Sequence, residues 1–158
     1  MTDTYIERLS KWNLLKHQLE SDPEPYWMLM RYYDNVDVRD RQTDPWDQST
    51  WPDPWVLIQE NVYDSFLISL SMVYSLSLVQ RWENTPIELW IVIDYDTGDY
   101  YYPVVVENHV LNWNGVVMTR DQIPDTAVIE TVYVVERDPG CNYEESGKCG
   151  SKIIRKVV

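Results

Sequence analysis

The period of the apolar positions changes along the chain from helical to alternating. In the first part, apolar side chains recur three or four residues apart, and Thr4 with Glu7 three residues later matches a capping box. The recurring residues are Tyr5, Leu9, Trp12, Leu15 and Leu19. This pattern predicts an amphipathic helix over residues 4–20. Residues 26–33 are almost continuously apolar or aromatic, a pattern that does not separate a strand from a buried helix.

Two further helix starts follow. Asp53 and Pro54 match a helix cap followed by proline at the first helical position, which predicts a short helix. Asp64 caps a segment over residues 65–81 that is apolar on most sides, as expected of a central buried helix. Four serines in it stand in pairs four residues apart and would let another backbone approach: Ser65, Ser69, Ser71 and Ser75. No base accompanies them in sequence, which argues against a nucleophilic role.

After Pro86 the apolar residues follow a strand pattern. Five strands are expected, at 87–93, 100–106, 109–113, 116–118 and 127–136, with Asn114–Gly115 as a hairpin turn. A last strand over 153–158 should pair with the 127–136 strand. The sequence therefore predicts an α+β fold in which N-terminal helices and one long buried helix pack on an antiparallel β-meander. We expect one domain over 1–158, with a helical half over about 1–82, a sheet half over about 86–136 and a C-terminal segment over 138–158.

Large aromatic residues supply the candidate binding positions. The chain has 8 Trp and 12 Tyr but one Phe, and Trp and Tyr are favoured anchors at protein interfaces. Residues 34–53 lack a clear period and are predicted to form a long loop held by its two tryptophans. The candidate contact residues are Trp46, Trp51, Tyr100, Tyr102 and Trp113.

Charge restricts the classes of partner. The net charge is −13, which argues against direct nucleic-acid binding, since that binding depends on Lys and Arg. Residues 148–158 hold four basic and no acidic residues, which leaves 9 basic against 26 acidic in the rest, a balance of −17. An acidic body with a basic tail indicates a protein partner, and self-association is equally compatible. No apolar run is long enough for a membrane span and the N-terminus lacks a signal peptide, so we expect an intracellular, soluble protein.

Three groups of residues invite a chemical interpretation. Asp94, Asp96 and Asp99 resemble the start of a calcium loop, but Gly98 stands where the third ligand is required, which favours an ordinary hairpin. Cys141 and Cys149 are too far apart for a zinc knuckle. They are compatible with a reversible disulfide or with two free thiols.

His109 is the histidine of the sheet half and a candidate base. A hydrolase using His109 with a carboxylate such as Asp94 is one reading, and an ordinary surface histidine is the other. No cofactor or metal ion is indicated by any motif.

Three segments carry a resemblance to a known family. They are Pro54-Trp55-Val56-Leu57-Ile58, Tyr63-Asp64-Ser65-Phe66 and Leu70-Ser71-Met72-Val73-Tyr74-Ser75-Leu76. Within residues 52–118 they resemble small transglutaminase-like proteins of tailed bacteriophages, of the papain-like superfamily. In that superfamily a nucleophilic Cys opens the long helix, a His lies on a following strand, and an Asp or Asn lies on the next.

The resemblance implies that the usual catalytic residues are missing here. Asp64 stands at the nucleophile's position, the expected His position falls among Tyr101, Tyr102 and Pro103, and Asn112 matches the orienting residue. We therefore expect no enzymatic activity and no catalytic residue. The expected function is a protein–protein interaction module, as a phage-type virion structural or assembly component in the host cytoplasm or the virion. The alternative is an acidic inhibitor that mimics nucleic acid on a partner's basic surface.

Overall fold

The computed structural model describes residues 3–39, 43–137 and 152–158. The first helix, α1, spans Tyr5–Leu19, and the Thr4 hydroxyl accepts the Glu7 amide, as the capping pattern predicted. The ambiguous segment is a helix, α2 at Pro25–Tyr32, which buries Tyr26, Leu29 and Met30. Proline at its first position and the burial of one side account for a helix where the pattern alone did not decide.

Two capped helices complete the helical half. Helix α3 spans Pro54–Glu60 and α4 spans Ser65–Ser77, and the carboxylates of Asp53 and Asp64 accept amides of their first turns. Both predicted starts are confirmed. Helix α4 ends four residues earlier than predicted, and the chain continues through a 3₁₀ turn at Gln80–Trp82. No helix among the described ranges is long and apolar enough to cross a membrane.

Within the described residues, seven strands form one antiparallel sheet with the order β5-β4-β3-β1-β6-β7, and β2 also pairs with β1. The strands are β1 at Ile87–Asp94, β2 at Asp99–Tyr101, β3 at Val104–Val106, β4 at His109–Trp113, β5 at Val116–Thr119, β6 at Ala127–Arg137 and β7 at Lys152–Lys156. The α+β class is confirmed. Strand β6 returns past the meander to pair with β1, and β7 pairs with β6 as predicted.

One predicted strand is interrupted. The single strand expected at 100–106 is divided into β2 and β3 at Tyr102–Pro103, since proline cannot donate to a strand ladder. Both pieces pair with β1, so they follow one another along the same edge of that strand.

The main core lies between α4 and the sheet. Helix α4 buries nine of its residues, including Phe66, Leu70 and Val73, against the strands and the other helices. A smaller core on the opposite face of the sheet contains Trp90, Val92, Val105, Val110, Trp113 and Val132. The start of α4 therefore lies over one face of the sheet, next to the break between β2 and β3.

Candidate functional site

Four of the five predicted contact residues lie in two ring clusters, one formed by Trp46 and Tyr100 and one around Phe66 near the start of α4. The rings of Trp46 and Tyr100 meet edge-on, with centroids 5.4 Å apart, and each side chain is 42% exposed. Trp51 and Tyr102 both pack on Phe66, at 5.1 and 5.5 Å. We call Trp46, Trp51, Tyr100 and Tyr102 the aromatic surface. Tyr100 and Tyr102 are two residues apart in an extended segment, which points their side chains to one side of the sheet.

Hydrogen bonds fix the loop that carries the two tryptophans. The Trp51 indole donates to the Asp44 carbonyl (3.0 Å), and the Thr50 hydroxyl accepts the Asp44 amide (3.0 Å). From the sheet, the Tyr133 hydroxyl donates to the Pro45 carbonyl (2.9 Å), and its ring packs edge-on against Trp51 at 4.7 Å. These hydrogen bonds hold the backbone of the loop that carries Trp46 in place.

Carboxylates lie near two of the tyrosines in these ring clusters. Burial, and then the charge of Asp64, raises the pKa of Tyr102. Burial, and then the charges of Asp44 and Asp47, raises the pKa of Tyr133. Asp64 therefore lies near Tyr102, and Asp44 and Asp47 lie near Tyr133, which packs on Trp51, so these three carboxylates form an acidic rim beside the rings.

The positions that the sequence resemblance matched to catalytic residues of transglutaminase-like proteins lie close together, beneath the aromatic surface. The amide of Asn112 on β4 donates to the Ser69 hydroxyl (2.7 Å) and to the Ser65 carbonyl (3.3 Å), and Ser69 donates to the Tyr102 carbonyl. The start of α4, the chain at Tyr102 and Asn112 on β4 are therefore in contact. The Asp64 carboxylate is used as the helix cap, and the polar groups that meet here are those of Ser65, Ser69 and Asn112.

Trp113, the fifth predicted contact residue, lies elsewhere. It is 6% exposed, belongs to the smaller core on the other face of the sheet, and stacks on Tyr101 at 5.0 Å. Because it is buried away from the aromatic surface, it does not share a contact area with the other four. Cys141 and Cys149 lie outside the described residues.

The structure places the two groups of the hydrolase hypothesis, His109 and Asp94, far apart. His109 pairs with Val106, which pairs with Ile87 at the start of β1, whereas Asp94 is the last residue of that strand. Seven residues of strand span about 23 Å. The Asp94 carboxylate instead accepts the Thr126 hydroxyl (2.7 Å) and the Asp96 amide (2.9 Å), so it braces a hairpin.

Sequence reasoning missed the partners that hold the aromatic surface. Phe66 joins Trp51 to Tyr102, Tyr133 anchors the loop, and Asn112 links β4 to α4. The single Phe of a chain rich in Tyr and Trp was a signal for a fully buried ring, and Phe66 is 2% exposed. In the part of the chain that the structure describes, no group of three or more His, Cys, Asp or Glu could hold a metal ion.

Comparisons with known proteins identify the fold. No protein-family model and no curated protein sequence matches this chain. Solved structures do: LapG of Legionella pneumophila aligns over 84% of this chain and 77% of LapG, with a TM-score of 0.61 and 12% identity. Its EGTA-treated form aligns over 85% and 75%, with a TM-score of 0.62 and 11% identity.

This similarity corrects one expectation from the sequence. We expected no enzymatic activity because no cysteine opens α4, and the comparison contradicts the basis of that expectation: LapG, which has this fold, is a cysteine protease, so the fold does not mark the chain as a non-enzyme. At 12% identity the likeness establishes the fold. The chain therefore shares the transglutaminase-like fold of LapG.

Proposed function

We propose that the protein binds a partner protein through its aromatic surface, as a component of a tailed-phage virion or of its assembly in the host cytoplasm. One observation carries the proposal: Trp46 and Tyr100 meet edge-on while each keeps 42% of its side chain exposed. Large rings that remain exposed on a braced loop lose little conformational freedom on binding, which favours them as anchors.

The rim defines the chemistry of the partner. Asp64 lies near Tyr102, Asp44 and Asp47 lie near Tyr133, and the chain carries a net charge of −13. A complementary partner surface combines an apolar centre with Lys or Arg around it. The phage context is supported by the resemblance of residues 52–118 to phage transglutaminase-like proteins.

The test compares variants in a pull-down from the native lysate at about 0.15 M and about 1 M salt, two conditions that differ strongly in charge screening. We expect one partner to be retained at both salt concentrations by the wild-type protein and by Trp55→Ala. Trp55 is 52% exposed on α3 and makes no ring contact with the aromatic surface among the described residues. Trp46→Ala and Tyr100→Ala should each weaken the complex about 30-fold.

Three results would contradict this function in whole or in part. If Trp55→Ala weakens capture as much as Trp46→Ala, the aromatic surface is not the contact. If the captured protein is a second copy of this chain, light scattering on the purified protein will show a dimer, and the partner is the protein itself. A partner absent from virions and from their assembly intermediates would remove the phage assignment while leaving the binding surface in place.

The charge distribution supports a second candidate, an acidic inhibitor that covers the nucleic-acid-binding surface of another protein. The observation in its favour is the balance of −17 outside the last eleven residues, from 9 basic against 26 acidic side chains. Such a complex is held mainly by charge, so it should dissociate at about 1 M salt. Retention of the partner at that salt concentration excludes this candidate.

A further inference from the structure

A second cleft lies away from the aromatic surface, between the start of α2 and the start of β4. Its volume is about 520 Å³. Its lining includes Glu24, Tyr26 and Trp27 from the helix side, Arg81 from the turn after α4, and Glu107 and His109 from the sheet. Carboxylates and aromatic faces therefore line the same space.

A chain of hydrogen bonds fixes the Glu107 carboxylate. The buried Trp82 indole donates to the Tyr26 hydroxyl (3.0 Å), and that hydroxyl donates to Glu107 Oε1. Burial, followed by the neighbouring carboxylate, raises the pKa of Tyr26. Tyr26 therefore keeps its proton and remains a donor, so the carboxylate is oriented and its second oxygen is left for another partner.

The hairpin turn and a neighbouring ring define the surroundings of Glu107. Glu107 has a φ of 56° because it is the first of the two turn residues between β3 and β4, a position where two-residue hairpins require a positive φ. The His109 ring lies 4.6 Å from that of Tyr26, and its Nδ1 is buried without a hydrogen-bond partner among the described residues. The carboxylate that Tyr26 orients and the imidazole that packs on Tyr26 both line the cleft, and a buried nitrogen without a partner is a group that a bound ligand could satisfy.

The cation that lines the cleft is already engaged. Arg81 Nη1 donates to the carbonyls of Leu19 (3.0 Å) and Asp22 (2.7 Å), and the guanidinium lies over the Trp82 ring at 5.1 Å. In the described part of the chain it makes no ion pair with Glu107. The carboxylates of Glu107 and Glu24 thus keep their negative charge available to a ligand.

We propose that this cleft binds the ammonium or guanidinium group of a Lys or Arg side chain from a partner protein. Glu107 would accept hydrogen bonds from the cation, and Glu24 would add charge attraction. The Trp27 side chain is 57% exposed, so its ring would offer an aromatic face for a cation–π contact. The net charge of −13 draws cations toward the protein.

The test is an NMR titration that follows the indole N–H signals of Trp27 and Trp82. The probes are Nα-acetyl-lysinamide, its uncharged counterpart Nα-acetyl-norleucinamide, and putrescine as a free amine. We expect saturable shifts with the lysine probe and none with the norleucine probe. Glu107→Gln, which keeps the bond from Tyr26, should weaken binding about tenfold because it removes a hydrogen bond to a charged group.

Control variants make each outcome decisive. Glu130→Gln alters an exposed carboxylate on β6 and should leave the affinity unchanged. Trp27→Ala, followed through the Trp82 signal, should also weaken binding, and thermal melting checks that each variant is folded. Equal binding of the norleucine probe, or full affinity in both Glu107→Gln and Trp27→Ala, overturns the proposal. Tighter binding of putrescine than of the lysine probe overturns the side-chain assignment in favour of a free amine.

Discussion

The indole of Trp12 on α1 donates a hydrogen bond of 2.8 Å to the hydroxyl of Ser75 on α4. Ser75 is fully buried, donates to the Ser71 carbonyl (2.8 Å) and lies 3.3 Å from the Tyr33 hydroxyl. One small hydroxyl therefore connects three helices. Ser71, one turn earlier on the same helix, is also buried and lies beside a cavity of about 10 Å³; its hydroxyl is near those of Tyr33 and Tyr63 but forms no hydrogen bond of normal geometry within the described residues.

Substitution of these two serines should have different effects on the free energy of unfolding. Ser75→Ala leaves the Trp12 indole without an acceptor and should destabilise the protein by about 1–3 kcal/mol. Ser71→Ala removes a hydroxyl that is already unsatisfied, so it should be neutral or slightly stabilising. Urea unfolding of both variants measures the difference. Equal destabilisation would show that the Trp12–Ser75 bond adds nothing to stability.

Asn112 combines a strained backbone with two side-chain hydrogen bonds. Its φ is 60°, and its amide donates to Ser69 and Ser65. Asn112→Gly should destabilise the protein by about 1–3 kcal/mol through loss of those bonds. Asn112→Ala should cost about 1 kcal/mol more, since alanine is disfavoured at positive φ. Thermal unfolding of the two variants checks both terms. An alanine variant as stable as the glycine variant would contradict the strain.

The backbone conformation of Asn112 also explains why Trp113 does not share a contact area with the other four predicted contact residues. Strict alternation along β4 would place Val110 and Trp113 on opposite faces. Both belong to the smaller core, and the β4–β5 register shifts between them. The left-handed residue inserts an irregularity that turns Trp113 away from α4. Selecting Trp113 as a contact residue from its residue type does not detect this register shift, because the shift depends on contacts between β4 and α4.

Short-range sequence signals predicted where the helices begin better than they predicted which residues meet in the aromatic surface. The caps at Thr4, Asp53 and Asp64 act within one turn, so they could be read from neighbouring residues. The pairing of Trp46 with Tyr100 joins residues 54 positions apart and depends on how the loop lies on the sheet. The sequence supplied the residue types of the aromatic surface, while tertiary packing decides which of them meet.

The anchor between Tyr133 and Pro45 should control the order of the loop that carries Trp46. Tyr133→Phe keeps the ring against Trp51 and removes only the hydrogen bond to the Pro45 carbonyl. We expect the free energy of opening residues 43–53 to fall by about 1 kcal/mol. Amide hydrogen exchange should become faster in that loop and stay unchanged in α4. Tyr101→Phe, on the other face of the sheet, is the control and should leave the loop unaffected.

The pairing of β7 with β6 should weaken in acid. Arg155 donates to both carboxylate oxygens of Glu136, at 2.9 and 2.6 Å, and this contact holds the pKa of Glu136 below its ordinary value of 4.5. A lowered folded-state pKa means that the ion pair contributes fully above pH 4.5, and that its contribution disappears as the pH falls through the folded-state value.

Protection factors of the Ile153 and Ile154 amides should therefore decrease as the pH is lowered below 4.5 while those of β1 change less. Glu136→Gln should show lower protection at neutral pH and no such decrease, because it cannot ionise. Salt at about 1 M should reduce the difference between the two proteins, since both partners are exposed to screening. If wild type and Glu136→Gln lose protection in parallel, the acid sensitivity of this edge arises from other carboxylates and the ion pair does not hold β7 in place.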